Sequence, residues 1–139
     1  MTFPAAVCRL ILASALAAVA APAFADTEAP VATVKNLDAN IHIDVLSLKR
    51  TEGNTVTLQF ALVNDGPGTH TLTPGNTRLI DLTARRRYDV GLEMPGGCSA
   101  ESGEKKVCWV MFAAPPATAK SLNVLFYGTW PMASVPVSE

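Results

Sequence analysis

From residue 41 onward the apolar side chains of this chain recur at every second position, and that regularity restricts the fold more than any other feature. Ile41, Ile43 and Val45 alternate with His42 and Asp44. Val56, Leu58, Phe60 and Leu62 alternate with Thr55, Thr57, Gln59 and Ala61. Cys108, Val110 and Phe112 alternate with Trp109 and Met111, and Leu122, Val124 and Phe126 repeat the pattern. A period of two belongs to a β-strand with one buried and one wet face. No segment carries an apolar stripe of helical period.

Turn signals separate these runs. Glu52-Gly53-Asn54, Asn64-Asp65-Gly66-Pro67-Gly68, Pro74-Gly75-Asn76, Pro115-Pro116 and Gly128-Thr129-Trp130-Pro131 each supply residues that a strand ladder does not use well. Shorter strands fit between them. Residues 69–73 predict one with Leu72 inward, residues 78–84 one with Ile80 and Leu82 inward, and residues 88–92 and 133–137 two more. Residues 94–106 read as a polar excursion. Seven to eight short strands over residues 41–139 predict an all-β domain, an antiparallel immunoglobulin-like β-sandwich. A barrel is the competing all-β arrangement.

The first 25 residues are of a different kind. Arg9 is their one charge; residues 10–21 are apolar, and Ala23 and Ala25 form an A-x-A site. This order predicts a cleaved secretory signal. Pro22 and the alanine-rich run argue against a membrane anchor, which needs about 20 strongly apolar residues. Cys8 precedes the apolar run, so it is not placed as a lipid-bearing cysteine. Residues 26–40 read as a flexible lead-in whose end joins a sheet edge. Without residues 1–25 the chain has 10 basic and 12 acidic side chains, a formal charge of −2. That balance argues against nucleic acid as a partner, and no second apolar run is long enough to span a membrane.

Export implies an oxidising compartment, and Cys98 and Cys108 then allow one pairing. Their spacing is not the C-x-x-C of a redox pair, so a structural disulfide is expected, pinning the excursion onto the strand at residues 107–113. For a loop this short it would contribute roughly 2–3 kcal/mol.

Candidate chemistry is sparse. His42 and Asp44 share the wet face of one strand, and His70, Met94, Met111 and Met132 complete a set that a small copper-handling protein could use. The ligand spacings of such proteins are absent, and no cofactor is expected. There is no G-x-S-x-G, and Asp81, Asp89, Glu93, Glu101 and Glu104 fall mostly in loops or at edges, so no catalytic constellation is expected. Arg85, Arg86 and Arg87 sit where a hairpin tip falls, with Asp81 and Asp89 near enough to pair with them. Trp109, Tyr127 and Trp130 are candidates either for a surface patch or for packing over the sheets.

The run Val56-Thr57-Leu58-Gln59-Phe60-Ala61-Leu62-Val63-Asn64-Asp65-Gly66 resembles the V-x-L-x-F-x-L-x-N-x-G strand of bacterial secreted immunoglobulin-like domains of the DUF4352 kind, and of similar domains ahead of OmpA-like modules. Leu79-Ile80-Asp81, Arg86-Arg87-Tyr88, the loop at Cys98, Trp109-Val110-Met111-Phe112-Ala113-Ala114-Pro115-Pro116 and Leu122-Asn123-Val124 follow in similar order. The resemblance covers about residues 41–137 and implies an immunoglobulin-like fold in or outside the cell envelope, with no catalytic residues to carry over. The expected function is a non-enzymatic periplasmic or secreted module that binds another envelope or exported protein. Arg85, Arg86, Arg87 and Trp130 are the expected contact residues.

Overall fold

The computed structural model describes residues 29–128 and 130–139. The expected signal, residues 1–25, lies outside the described residues. All described strands belong to an all-β arrangement: β1 (Ala32–Lys35), β2 (Ile41–Thr51), β3 (Thr55–Asn64), β4 (His70–Leu72), β5 (Arg78–Asp81), β6 (Arg86–Glu93), β7 (Cys98–Ala100), β8 (Lys105–Ala113), β9 (Ser121–Leu125) and β10 (Ala133–Ser138).

The strands do not form a sandwich. They run β2-β10-β9-β5-β6-β8-β3, and β3 pairs back onto β2, so seven strands close into a barrel. Six of the seven seams are antiparallel; the seam between β10 and β2 is parallel. This corrects the antiparallel immunoglobulin-like sandwich. The physical reason is that alternation along a strand reports which face is buried, and a barrel wall and a sandwich layer alternate identically. What separates them is whether the sheet edges bond to each other. Here they do, because β2 is long and irregular at Val45/Ser47. Above that irregularity its free edge takes β1 through Ala32↔Val45 to Lys35↔His42. Below it the same edge takes β10 through Val137↔Leu48 and Ser138↔Lys49. A bulge bends a strand and increases its twist, which is how one strand can serve two neighbours on one edge.

The inward rows of β2, β3, β8 and β9 follow the period-two pattern. Ile43, Val45, Leu58, Phe60, Val110, Phe112, Val124 and Phe126 are all buried. Phe60 and Phe126 meet edge to face across the interior at 5.1 Å between ring centroids, an arrangement aromatic rings favour. In β5 the expected phase is reversed. Leu79 is buried, whereas Leu82 is 63% exposed in the following turn. β5 has only four residues, too few for alternation to fix which of Leu79 and Ile80 faces in.

One end of the barrel gathers the β2–β3 and β5–β6 turns and the 114–120 connection. Gly53 (φ 79°) and Asn54 (φ 59°) make the first of these turns. In the 114–120 connection, Arg50 donates from Nη1 to the Pro115 carbonyl and from Nη2 to that of Pro116, both at 2.8 Å. Its Nε lies 3.4 Å from Glu139 Oε1, without the alignment of a hydrogen bond. Arg50 thereby holds a loop whose two prolines offer acceptors and no donors.

The β10–β2 seam has two residue pairs against ten for β2–β3. Local opening follows the least-supported hydrogen bonds. Amide exchange followed by NMR is therefore expected to show lower protection at Ser138 than at residues 56–62; the Val137 N–H instead donates to Lys120 O. Equal protection would mean that the seam does not open before the whole barrel.

Candidate functional site

At the other end of the barrel, β4 and β7 pair as a two-stranded ribbon through His70↔Ala100, Thr71↔Ser99 and Leu72↔Cys98. Its inner side, Leu72, Cys98 and Ala100, joins the core, while Thr71 and Ser99 share a 2.6 Å hydroxyl contact outside. The expected disulfide is present. Cys98 on β7 is bonded to Cys108 on β8, with 6.0 Å between the Cα atoms, and both are fully buried. Its role is structural: it ties the ribbon to the barrel wall.

Asn64 is the second tie. It is 1% exposed, and its amide nitrogen donates to the carbonyls of Gly68 at 2.9 Å and Ala100 at 3.0 Å. Its Oδ1 accepts from Gly66 N at 3.0 Å. Its backbone N–H donates to Glu104 O, and its carbonyl accepts from Gly103 N. One buried residue thus joins the end of β3 to the 66–68 turn and to residues 100–104, with its side-chain amide engaged at both nitrogen and oxygen. Gly66 packs closely beside it: a Cβ there would lie 3.3 Å from Asn40 Cβ, so Asn40 would have to shift to admit one. The N-D-G-P-G turn was visible in the sequence; the reach of Asn64 to residues 100–104 was not.

The arginine cluster lies at the opposite end. Asp81↔Arg86 is the last pair of the β5–β6 hairpin, so residues 82–85 form the tip. Asp81 Oδ1 accepts from the N–H groups of Thr83 and Ala84, both at 3.0 Å, which fixes the turn. Arg85 closes it in the left-handed region, φ 53°. The three arginines are not equivalent. Arg87 Nε pairs with Asp89 Oδ1 at 3.2 Å, and the same oxygen takes Arg78 Nε at 2.7 Å. Arg86 lies over the Tyr88 ring, 5.8 Å from its centroid. Arg85 and Arg86 are exposed, and no carboxylate pairs with either among the described residues. Exposed Leu82 sits between Asp81 and these cations.

Trp130 is only 5% exposed and stands edge-on to His70 at 6.4 Å. The exposed aromatic at that end is Tyr127, at 72%. Asn36, His70, Asn76, Tyr127 and Trp130 line an open cleft of about 320 Å³. The copper-type candidates are dispersed. His42 has Asp65 at 3.4 Å and Asp44 at 3.7 Å. His70 lies on β4, Met111 on the outer side of β8, and Met94 and Met132 in connections. Among the described residues no group of three His, Cys, Asp or Glu is placed to hold a metal, and no helix is long and apolar enough to cross a membrane. Asp81 and Asp89, considered above as acids, are engaged by the hairpin turn and by arginines.

No protein-family model, curated protein or solved structure matches this chain.

Two stability predictions follow from the double tie. Asn64→Ala leaves the Gly68 and Ala100 carbonyls without their donor and Gly66 N–H without its acceptor, and is expected to destabilise by about 3 kcal/mol in urea unfolding. Replacing both cysteines, Cys98→Ala with Cys108→Ala, is expected to cost about 2–3 kcal/mol. Because both ties hold the same ribbon, the combined variant should depart from additivity by more than about 0.5 kcal/mol.

Proposed function

We propose that this chain is an exported, non-enzymatic binding module that docks an acidic surface of another envelope or exported protein through the β5–β6 hairpin tip. The observation that carries this reading is the pair Arg85 and Arg86, exposed and without carboxylate partners, on a turn that Asp81 holds in place. Guanidinium groups recognise carboxylates bidentately, and a tip already ordered loses little freedom on binding. Leu82, 63% exposed beside them, adds an apolar contact of the kind that protein interfaces use. A periplasmic or secreted location fits both the order of residues 1–25 and a buried disulfide.

The test is a charge reversal. Cross-linking of the tagged protein in envelope extract is expected to yield a defined adduct that weakens as salt rises. The double variant Arg85→Glu/Arg86→Glu should lose the adduct at least about tenfold, equivalent to about 1.4 kcal/mol. Its unfolding midpoint should fall only slightly, since both side chains are exposed and the loss is the Arg86 contact with the Tyr88 ring. An adduct that survives the reversal would place the contact elsewhere.

A further inference from the structure

The outer wall of β2, β3 and β8 carries a second surface that the arginine tip does not use. Register sets it out in rows. Ser47 opposes Gln59, and Gln59 opposes Trp109; one step along, Lys49 opposes Thr57, and Thr57 opposes Met111. Ser47, Lys49, Thr51, Thr57, Gln59 and Trp109 line one open cleft of about 290 Å³. Trp109 is half-buried on this wall, with part of its ring open to the cleft, while its neighbours in sequence, Cys108 and Val110, fill the core.

The composition of the face selects a ligand. The indole offers a flat apolar surface. Around it stand a side-chain amide, hydroxyl groups and one ammonium, and no carboxylate lines the cleft. A pyranose has the matching form: a C–H face that stacks on an aromatic ring, and an equator of hydroxyls that both donate and accept. The cleft is shallow and open to one side, so it fits one unit within a chain better than an enclosed small molecule. Lys49 decides the charge. It is exposed and has no acidic partner among the described residues, and it lies one row from Trp109.

We propose that this wall binds an acidic polysaccharide, with a uronate unit stacked on Trp109, its hydroxyls met by Gln59, Ser47 and Thr57, and its carboxylate by Lys49. The site is independent of the protein-docking tip.

Affinity electrophoresis of the disulfide-intact protein through gels containing polygalacturonate, with a neutral β-glucan as comparison, tests the assignment. Wild-type protein is expected to be retarded by polygalacturonate. Trp109→Ala should weaken the apparent affinity at least about tenfold. Lys49→Gln should remove the preference for the acidic polymer over the neutral one. Gln59→Ala changes an exposed side chain and should weaken binding with no shift in unfolding midpoint, which keeps the test valid if Trp109→Ala folds poorly. Arg85→Glu/Arg86→Glu should be retarded like wild type. Retardation lost in that tip variant but kept in Trp109→Ala would overturn the proposal, marking the binding as adsorption of a polyanion to the arginines. No retardation of wild-type protein at millimolar repeat units would overturn it equally.

Discussion

A ring with an odd number of strands cannot alternate direction all the way round, so one pair of neighbours must run parallel. In this barrel of seven that obligation falls on β10 and β2, and much of the architecture follows from how it is met. A parallel neighbour cannot be reached by a tight turn. It is met here because the two strands are far apart in sequence, β10 arriving after every other wall strand is in place. β2 must then present one edge to two partners, and the irregularity at Val45/Ser47 divides that edge between β1 and β10. Closure removes the open edges on which strand-to-strand aggregation depends, and it does so with a seam of only two residue pairs.

Closure also sorts the loops. With strand directions set, the β2–β3 turn, the arginine-bearing β5–β6 tip and the proline loop held by Arg50 lie at one end. The ribbon of β4 and β7, the Asn64 hub and the disulfide lie at the other. The second end is tied twice, once covalently and once by a buried amide whose every group is engaged. Neither tie replaces the other. The disulfide joins β7 to β8, whereas Asn64 joins the end of β3 to the 65–68 turn and to residues 100–104. At the first end Arg50 holds the proline loop through two carbonyls, and Asp81 sets the hairpin tip.

What could be read in the sequence, and what could not, divides along local and non-local lines. The inward rows of β2, β3, β8 and β9 were legible, because burial of alternate residues is a property of each strand alone. The inward phase expected for Ile80 and Leu82 fails, with Leu79 buried instead, because four residues contain too little alternation. The choice between sandwich and barrel rested on Val137 meeting Leu48, a contact 89 positions apart that no local pattern encodes. The hairpin tip at Arg85 was legible from the spacing of two strand-like runs, but the division of labour among its arginines was not. It depends on Asp89 lying within reach of both Arg78 and Arg87. Trp130 follows a glycine turn and has no alternating neighbours, so the sequence leaves it between covering the end of the domain and meeting a partner; the first agrees with its burial.

Trp109 shows the same division within one residue. Its position between Cys108 and Val110 was enough to turn it outward, since those two fill the core. That it then stands in line with Gln59 and Ser47 is set by two registers, β3 against β8 and β2 against β3. A shift of one residue in either seam would send the facing row inward and leave the indole beside core residues. The barrel therefore does more than bury its apolar rows. By fixing the registers of β2, β3 and β8, it assembles from the β2–β3 hairpin and the later strand β8 a face of aromatic, amide, hydroxyl and ammonium groups that no single strand carries. The hairpin tip needs only its own turn. The wall needs two seams in register, β2 against β3 and β3 against β8, so a ligand held there reads out that pairing.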